Sequence, residues 1–282
     1  AAVSQDQIKE QGQAGNLGAT MMAIVVEGNR QRDYVAPSAG QTGAALVGRP
    51  DGCPDQEITY DPRNLWTPPY GLTHFSDLFT NRQLLALTTF GDLVMEVRER
   101  ALGDAAAAGM PLGDRLDAGG TDAEGYADAI ATYLGLTVSK CCDFWCSICS
   151  WNIPNEQLRT VFSRQALPMS WDFVEVMPFS NSTGGFAGHL KSAVRAVESV
   201  SAPTQATIVQ ADAAASVPRG LLSTDPPYYD NIDYSDLSDF FYVWLRRSLR
   251  EVFPDLLSTL LVPKAEELVA NPYRHNGKEG AR

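Results

Sequence analysis

Ser223-Thr224-Asp225-Pro226-Pro227-Tyr228-Tyr229-Asp230-Asn231 is the stretch on which the rest of the chain turns. The short apolar run Gly220-Leu221-Leu222-Ser223-Thr224 before it reads as a strand that ends at Asp225. The stretch from Tyr234 to Val252 after it reads as a helix, with Leu237, Phe240, Phe241, Trp244, Leu245 and Leu249 on one apolar face. Further upstream, the β-rich Ala206-Thr207-Ile208-Val209-Gln210 reads as another strand that ends at Asp212. Strand, turn, strand, loop and helix make an α/β pattern. In such sheets ligands bind beyond the carboxyl ends of the strands, which is where Asp212 and Asp225 fall.

Asp225-Pro226-Pro227-Tyr228 carries a specific chemistry. Given proline near 5%, a specified tetrapeptide of this kind arises by chance in such a chain with odds on the order of one in a thousand. Two prolines fix φ and remove two backbone donors, so the Pro226 carbonyl is held rigidly beside the Asp225 carboxylate. Two fixed acceptors suit an exocyclic amino group. By accepting both its hydrogens they draw the nitrogen lone pair out of the ring plane, ready for in-line attack on an electrophilic methyl group. The Tyr228 ring offers a stacking face, which offsets part of the stacking lost when a base is flipped out of a duplex. The alternative is a plain proline-rich turn that stops a strand.

The tetrapeptide resembles motif IV of the amino-methyltransferases that use S-adenosylmethionine. Four longer strings resemble one family, the large adenine-specific DNA methylases with a zinc-ribbon insert, often linked with phage-defence loci. They are FTNRQLLALTTFGDLV (79–94), RQALPMSWDF (164–173), STDPPYYDNIDYSDLSDFFYVWLRRSL (223–249) and STLLVPKAEELVANPYRH (258–275). The resemblance implies that Asp225, Pro226, Pro227 and Tyr228 hold a flipped adenine and its amine. It implies that Asp212, in IVQADA (208–213), contacts S-adenosylmethionine, and that the partners are DNA and defence-system proteins. Cytosine N4 is the nearest alternative substrate, because the same tetrapeptide serves both bases. A non-catalytic DNA-binding or scaffold segment of a defence complex is the rival from another class. The family's Gly-rich cofactor loop has no match here, since Gly184-Gly185-Phe186-Ala187-Gly188 follows no strand. With alanine as the first residue, the expectation is a piece of a longer protein that binds the cofactor weakly by itself.

Outward from the motif, residues 201–282 are assigned to a partial Rossmann-like methyltransferase domain and residues 1–200 to a mainly helical, loop-rich insert region. Helices are expected from Asn81 to about Ala101, with Leu87, Phe90, Val94, Val97 and Ala101 inward and Arg98 and Arg100 in the last turns. Others are expected over 122–142, capped by Asp122 and packed through Tyr126, Ile130, Tyr133, Leu134 and Val138, then over 155–165 and 185–199. The glycine- and alanine-rich 103–120 reads as a loop, and residues 36–71 as irregular chain in which Pro68-Pro69-Tyr70 is structural. Ala23-Ile24-Val25-Val26 fits either a strand or a helix.

With 44% hydrophobic and 20% charged residues the chain is globular. The net charge of −12 argues against coating nucleic acid by bulk charge, although a local basic cleft is compatible with it. Arg246, Arg247 and Arg250 read as a solvated face, with a phosphate contact as the alternative. Cys141, Cys142, Cys146 and Cys149, with distant Cys53, offer a zinc reading, but a second well-spaced pair is absent and buried apolar thiols are the assignment; no metal ligand is expected. His74, His189 and His275 lack ligand spacing and read as surface or loop residues. Neither a secretory signal nor a run of about eighteen apolar residues is present, so a cytoplasmic protein without membrane partners is expected.

Overall fold

The computed structural model describes residues 3–29, 31–200, 211–212, 219–225, 232–265, 267, 269–274 and 277. Among these, helix dominates and the strands form two small antiparallel pairs, so the chain mixes α and β structure. The framework is a trio of helices: α3 (Asn81–Ala107), α4 (Ala123–Cys142) and α6 (Tyr234–Leu249). They follow α1 (Gln5–Gln13) and α2 (Ala39–Ala44), and α5 (Phe186–Ser199) packs on α4.

Helix α3 starts where a capping box dictates. The Gln83 amide donates to Thr80 Oγ1 (3.3 Å), and the Thr80 amide donates to Gln83 Oε1 (2.8 Å). It then runs past the expected end at Ala101. The alanine run from Ala105 onward is the strongest helix-forming composition available, and it carries the helix through Gly103 to Ala107. Gly109, at φ 90°, follows the end, so irregular chain begins there and not at residue 103.

Helix α4 has the expected boundaries, but Asp122 makes no side-chain cap bond. Its buried face also differs from expectation. Tyr126 and Tyr133 are exposed, whereas Ala127, Asp128, Ala131, Gly135 and Val138 face inward. Small residues win this face because neighbouring helices come close. A Cβ on Gly135 would lie 2.6 Å from Leu249 of α6, and one on Gly91 of α3 would lie 3.2 Å from Ser248 Oγ. Aromatic rings could not fit that crossing. Val97 of α3 is likewise exposed, while Arg98 is buried.

The core fills the space between the three helices. Phe79 stacks on Phe240 at 5.7 Å between centroids and meets Trp244 edge-on at 5.2 Å. Trp145 and Trp244 are each 1% exposed. The Trp145 indole N–H, deep in the core, donates to the Gly184 carbonyl at 2.7 Å, fixing the irregular 166–184 stretch to the end of α4. Helix α6 therefore packs in the same hydrophobic cluster as α3 and α4.

Two other segments take the form of hairpins. Strands β1 (Ile24–Glu27) and β2 (Arg32–Val35) pair antiparallel, resolving the ambiguity at 23–26 in favour of a strand. The expected helix at 155–165 is absent. Instead β3 (Ser150–Asn152) pairs with β4 (Gln157–Arg159), and single 3-10 turns lie at Ile153–Asn155 and Val161–Ser163. Pro154 at the turn and Glu156 in a left-handed conformation (φ 46°) reverse the chain too sharply for a helix to continue. Pro68–Tyr70 is also a 3-10 turn, and its Tyr70 ring packs edge-on against Trp171 at 5.4 Å, in keeping with a structural role.

The strand expected at 220–224 does not form. Residues 219–225 are exposed, without regular structure, and carry no ladder hydrogen bonds among the described residues. Leu221 and Leu222 are apolar but exposed, with no strand to pair with among the described residues, and apolar character alone does not make a strand. The strand expected at 206–210 lies outside the described residues.

Candidate functional site

Asp225 stands exposed at the end of the 219–225 coil and forms no hydrogen bond or ion pair among the described residues. Asp212 is half-buried in a short irregular piece. Pro226, Pro227 and Tyr228 lie outside the described residues. On the other side of the motif the chain changes character at once: Ile232 is 5% exposed, Asp233 1% and Asp236 2%.

That side is held by a buried charged network. The Arg63 guanidinium donates to Asp61 Oδ2 (2.7 Å) and to Asp233 Oδ2, bridging two carboxylates that are 172 residues apart in number, 61 to 233. Asn271 Nδ2 donates to Asp61 Oδ2 at 3.2 Å. In the first turn of α6, Arg274 donates to Asp236 Oδ2 (2.7 Å) and Ser235 Oγ (2.8 Å). The Ser235 amide donates to Glu267 Oε1 (3.0 Å), and Arg274 also pairs with Glu267. One turn on, Lys264 Nζ and the Val262 amide donate to the two oxygens of Asp239 at 2.6 and 2.7 Å. Arg63 further lies 5.4 Å over the Tyr273 ring. Carboxylates at a helix N-terminus also complement its dipole. The result ties three distant pieces, 61–63, 233–239 and 262–274, into one anchor directly after the motif.

The titration of this anchor is uneven. Burial pushes Asp233 up to about 7, helped by its hydrogen bond with Asp61 and opposed by Arg63. Burial also pushes on Asp61, but hydrogen bonds from Arg63 and Asp233 outweigh it and hold Asp61 below the ordinary value. The two therefore share one proton on the Asp233 side. Asp239 is raised by burial against the pull of Lys264, whereas the bonds from Ser235 and Arg274 overcome burial and lower Glu267.

One carboxylate oxygen from each of Asp61, Asp233 and Asp236 lies within 4.8 Å of the others, a set that could hold a metal ion. Arg63 pairs with Asp61 and Asp233 and Arg274 with Asp236, while Asp233 Oδ1 and Asp236 Oδ1 are buried without a hydrogen-bond partner among the described residues. Sequence reasoning missed it. The one visible signal is that Asp233, Asp236, Lys264, Glu267, Asn271 and Arg274 all fall inside the two downstream strings quoted above.

The cysteines are buried free thiols in α4 and its following turn, with Cys53 half-buried. Cys146 Sγ and Cys149 Sγ are 3.3 Å apart, but among the described residues no third ligand joins them. Burial pushes the Cys141 thiol up to about 12 and those of Cys142 and Cys146 well above their ordinary value, which disfavours thiolates. His189 departs from expectation: it sits on α5, half-buried, with its ring 4.6 Å from that of Phe144. His74 is in a loop, where its backbone amide donates to Asp77 Oδ2 at 2.8 Å, and His275 lies outside the described residues.

Arg98, expected in a last turn of α3, is buried in mid-helix. It donates to Asp128 Oδ1 (2.6 Å), to Glu99 (2.8 Å) and to Glu124. Arg247 also departs from a purely solvated face, donating to Asp92 Oδ2 (2.8 Å) and to the Gly52 carbonyl.

No family model matches the chain, and no curated protein or solved structure matches it either. Among the described residues, no helix is long and apolar enough to cross a membrane.

Proposed function

We propose that the chain is the catalytic segment of an S-adenosylmethionine-dependent DNA methyltransferase acting on the exocyclic N6 amine of adenine. The observation that carries this reading is the placement of Asp225. It is an exposed carboxylate without a partner among the described residues, and the chain directly after the motif is fixed in the core through Ile232, Asp233 and Asp236. An exposed carboxylate a few residues before an immobilised segment suits a group that must meet a substrate at a fixed position.

In this reading Asp225 and the Pro226 carbonyl accept the two hydrogens of the adenine amine and turn its lone pair toward the methyl donor. Tyr228 stacks on the flipped base. Asp212 is an acceptor, half-buried, and fits the hydroxyl or amine donors of S-adenosylmethionine. The cofactor, when bound, supplies the electrophilic methyl group. A Rossmann-like sheet built from strands outside the described residues and the DNA and defence-system partners belong to this proposal as well. The test is transfer of a radiolabelled methyl group to duplex DNA by the protein expressed with its native flanking sequence. Asp225→Ala should lower the rate by at least about a hundredfold, the scale of losing a positioned transition-state acceptor. Wild-type transfer by that variant would refute the assignment.

A further inference from the structure

At the carboxyl end of α6 lies a hollow of about 500 Å³ lined by Arg246, Arg247, Arg250, Glu251 and Pro254. Three arginines line it in a chain whose net charge is −12. Elsewhere, buried Arg98 and half-buried Arg63 and Arg274 are met by acids: Arg63 by Asp61 and Asp233, Arg98 by Asp128, Glu99 and Glu124, Arg274 by Asp236 and Glu267. In the hollow only Arg247 has an acidic partner among the described residues, Asp92, and this bond with the one to the Gly52 carbonyl fixes its position. Arg246 and Arg250 have none. The Nε–H groups of Arg246 and Arg247 are buried with no acceptor among the described residues. A buried donor without an acceptor is costly, so an acceptor that arrives from outside is favoured.

The bland explanation is that arginines neutralise the helix terminus. That end carries about half a negative charge, which one guanidinium satisfies. The exposed carbonyl of Glu251 is moreover already taken by Arg115, at 2.6 Å. The Glu251 carboxylate forms no ion pair among the described residues and offsets one of three charges. Planar forks with free N–H groups match the oxygens of a phosphate group.

We propose that this hollow is a phosphate-binding site, and that its ligand is a backbone phosphate of nucleic acid. The phosphate chemistry stands on the hollow alone; the nucleic-acid source rests on the DNA-modifying function proposed above. A contact of this kind orients the duplex and carries no sequence information.

The experiment uses the 282-residue chain, with inorganic phosphate and a mixed-sequence 20-base-pair duplex as separate probes, in calorimetry and in salt titration. The Arg246→Gln/Arg250→Gln double variant should abolish the phosphate heat. It should also weaken duplex binding about tenfold and reduce the magnitude of the log–log salt slope by about 1, as expected for one lost phosphate contact. An Arg100→Gln/Arg195→Gln variant removes the same charge from two exposed arginines elsewhere and should change neither. Phosphate binding that depends on Arg246 and Arg250 without any effect on the duplex would keep the site and overturn its nucleic-acid source. Equal effects of the two variants, or no phosphate binding by the unaltered chain, would overturn the site itself. Methyl transfer, measured separately, decides the enzymatic reading whichever way this experiment falls.

Discussion

The two sides of the Asp225–Tyr228 motif are built in opposite ways. On its amino side, residues 219–225 are exposed, Leu221 fully so, and lack any hydrogen-bond ladder among the described residues. On its carboxyl side, Asp233, Asp236 and Asp239 are each at most 2% exposed and are gripped by Arg63, Arg274 and Lys264. Both sides present aspartates, so residue type does not separate them; partners and burial do. The difference teaches that stability resides on the α6 side and that the exposed Asp225 side adds little to it; the substrate role proposed for Asp225 is compatible with that division.

The largest expected effect on stability comes from breaking the anchor. Asp236→Ala removes a buried carboxylate that half-buried Arg274 bonds and Lys264 faces, and should cost about 3 kcal/mol in chemical denaturation. A loss no greater than that of Asp225→Ala would collapse the distinction between the two sides. Next in size is Gly135→Ala, which places a methyl group against Leu249 where α4 and α6 cross, and should destabilise by about 1–3 kcal/mol. A neutral result would mean that the helices part easily and that the α6 platform is softer than its packing indicates.

A pH dependence also sharpens the contrast. Asp233 is raised from an ordinary 3.8 to about 7, so the folded state holds its proton more tightly than the unfolded state. Its contribution to stability is fully present below about 3.8 and is lost as pH rises through about 7. The raised Asp239 acts in the same direction, whereas the lowered Asp61 and Glu267 lose their contributions at the acid end. Asp233→Asn mimics the protonated form and should flatten the fall in unfolding midpoint between pH 4 and pH 7. An unchanged profile would show that the Asp61–Asp233 pair does not share a proton.

Much of the scaffold was legible in the sequence, because helices with strong periodicity announce themselves. Leu237, Phe240, Trp244 and Leu249 mark α6, and the structure buries all four. The inner face of α4 was not legible. Hydrophobicity favours Tyr126 and Tyr133, but a close helix crossing selects Ala127, Ala131 and Gly135. The anchor was hidden for another reason. An Asp-rich helix start reads as solvated, and nothing local tells Asp233 that Arg63 will face it or Asp236 that Arg274 will. At Leu221 and Leu222 the error ran the other way, since apolar residues in sequence carry no information about whether a partner strand is there to cover them.

The division of labour across the motif is tested most directly by measuring unfolding midpoint and methyl transfer together on Asp225→Ala and Asp236→Ala, in the protein with its native flanks. The account predicts that Asp225→Ala unfolds at the wild-type midpoint and transfers no methyl group, whereas Asp236→Ala unfolds at markedly lower denaturant. An Asp225→Ala protein that unfolds as early as Asp236→Ala, or one that keeps wild-type transfer, would contradict it.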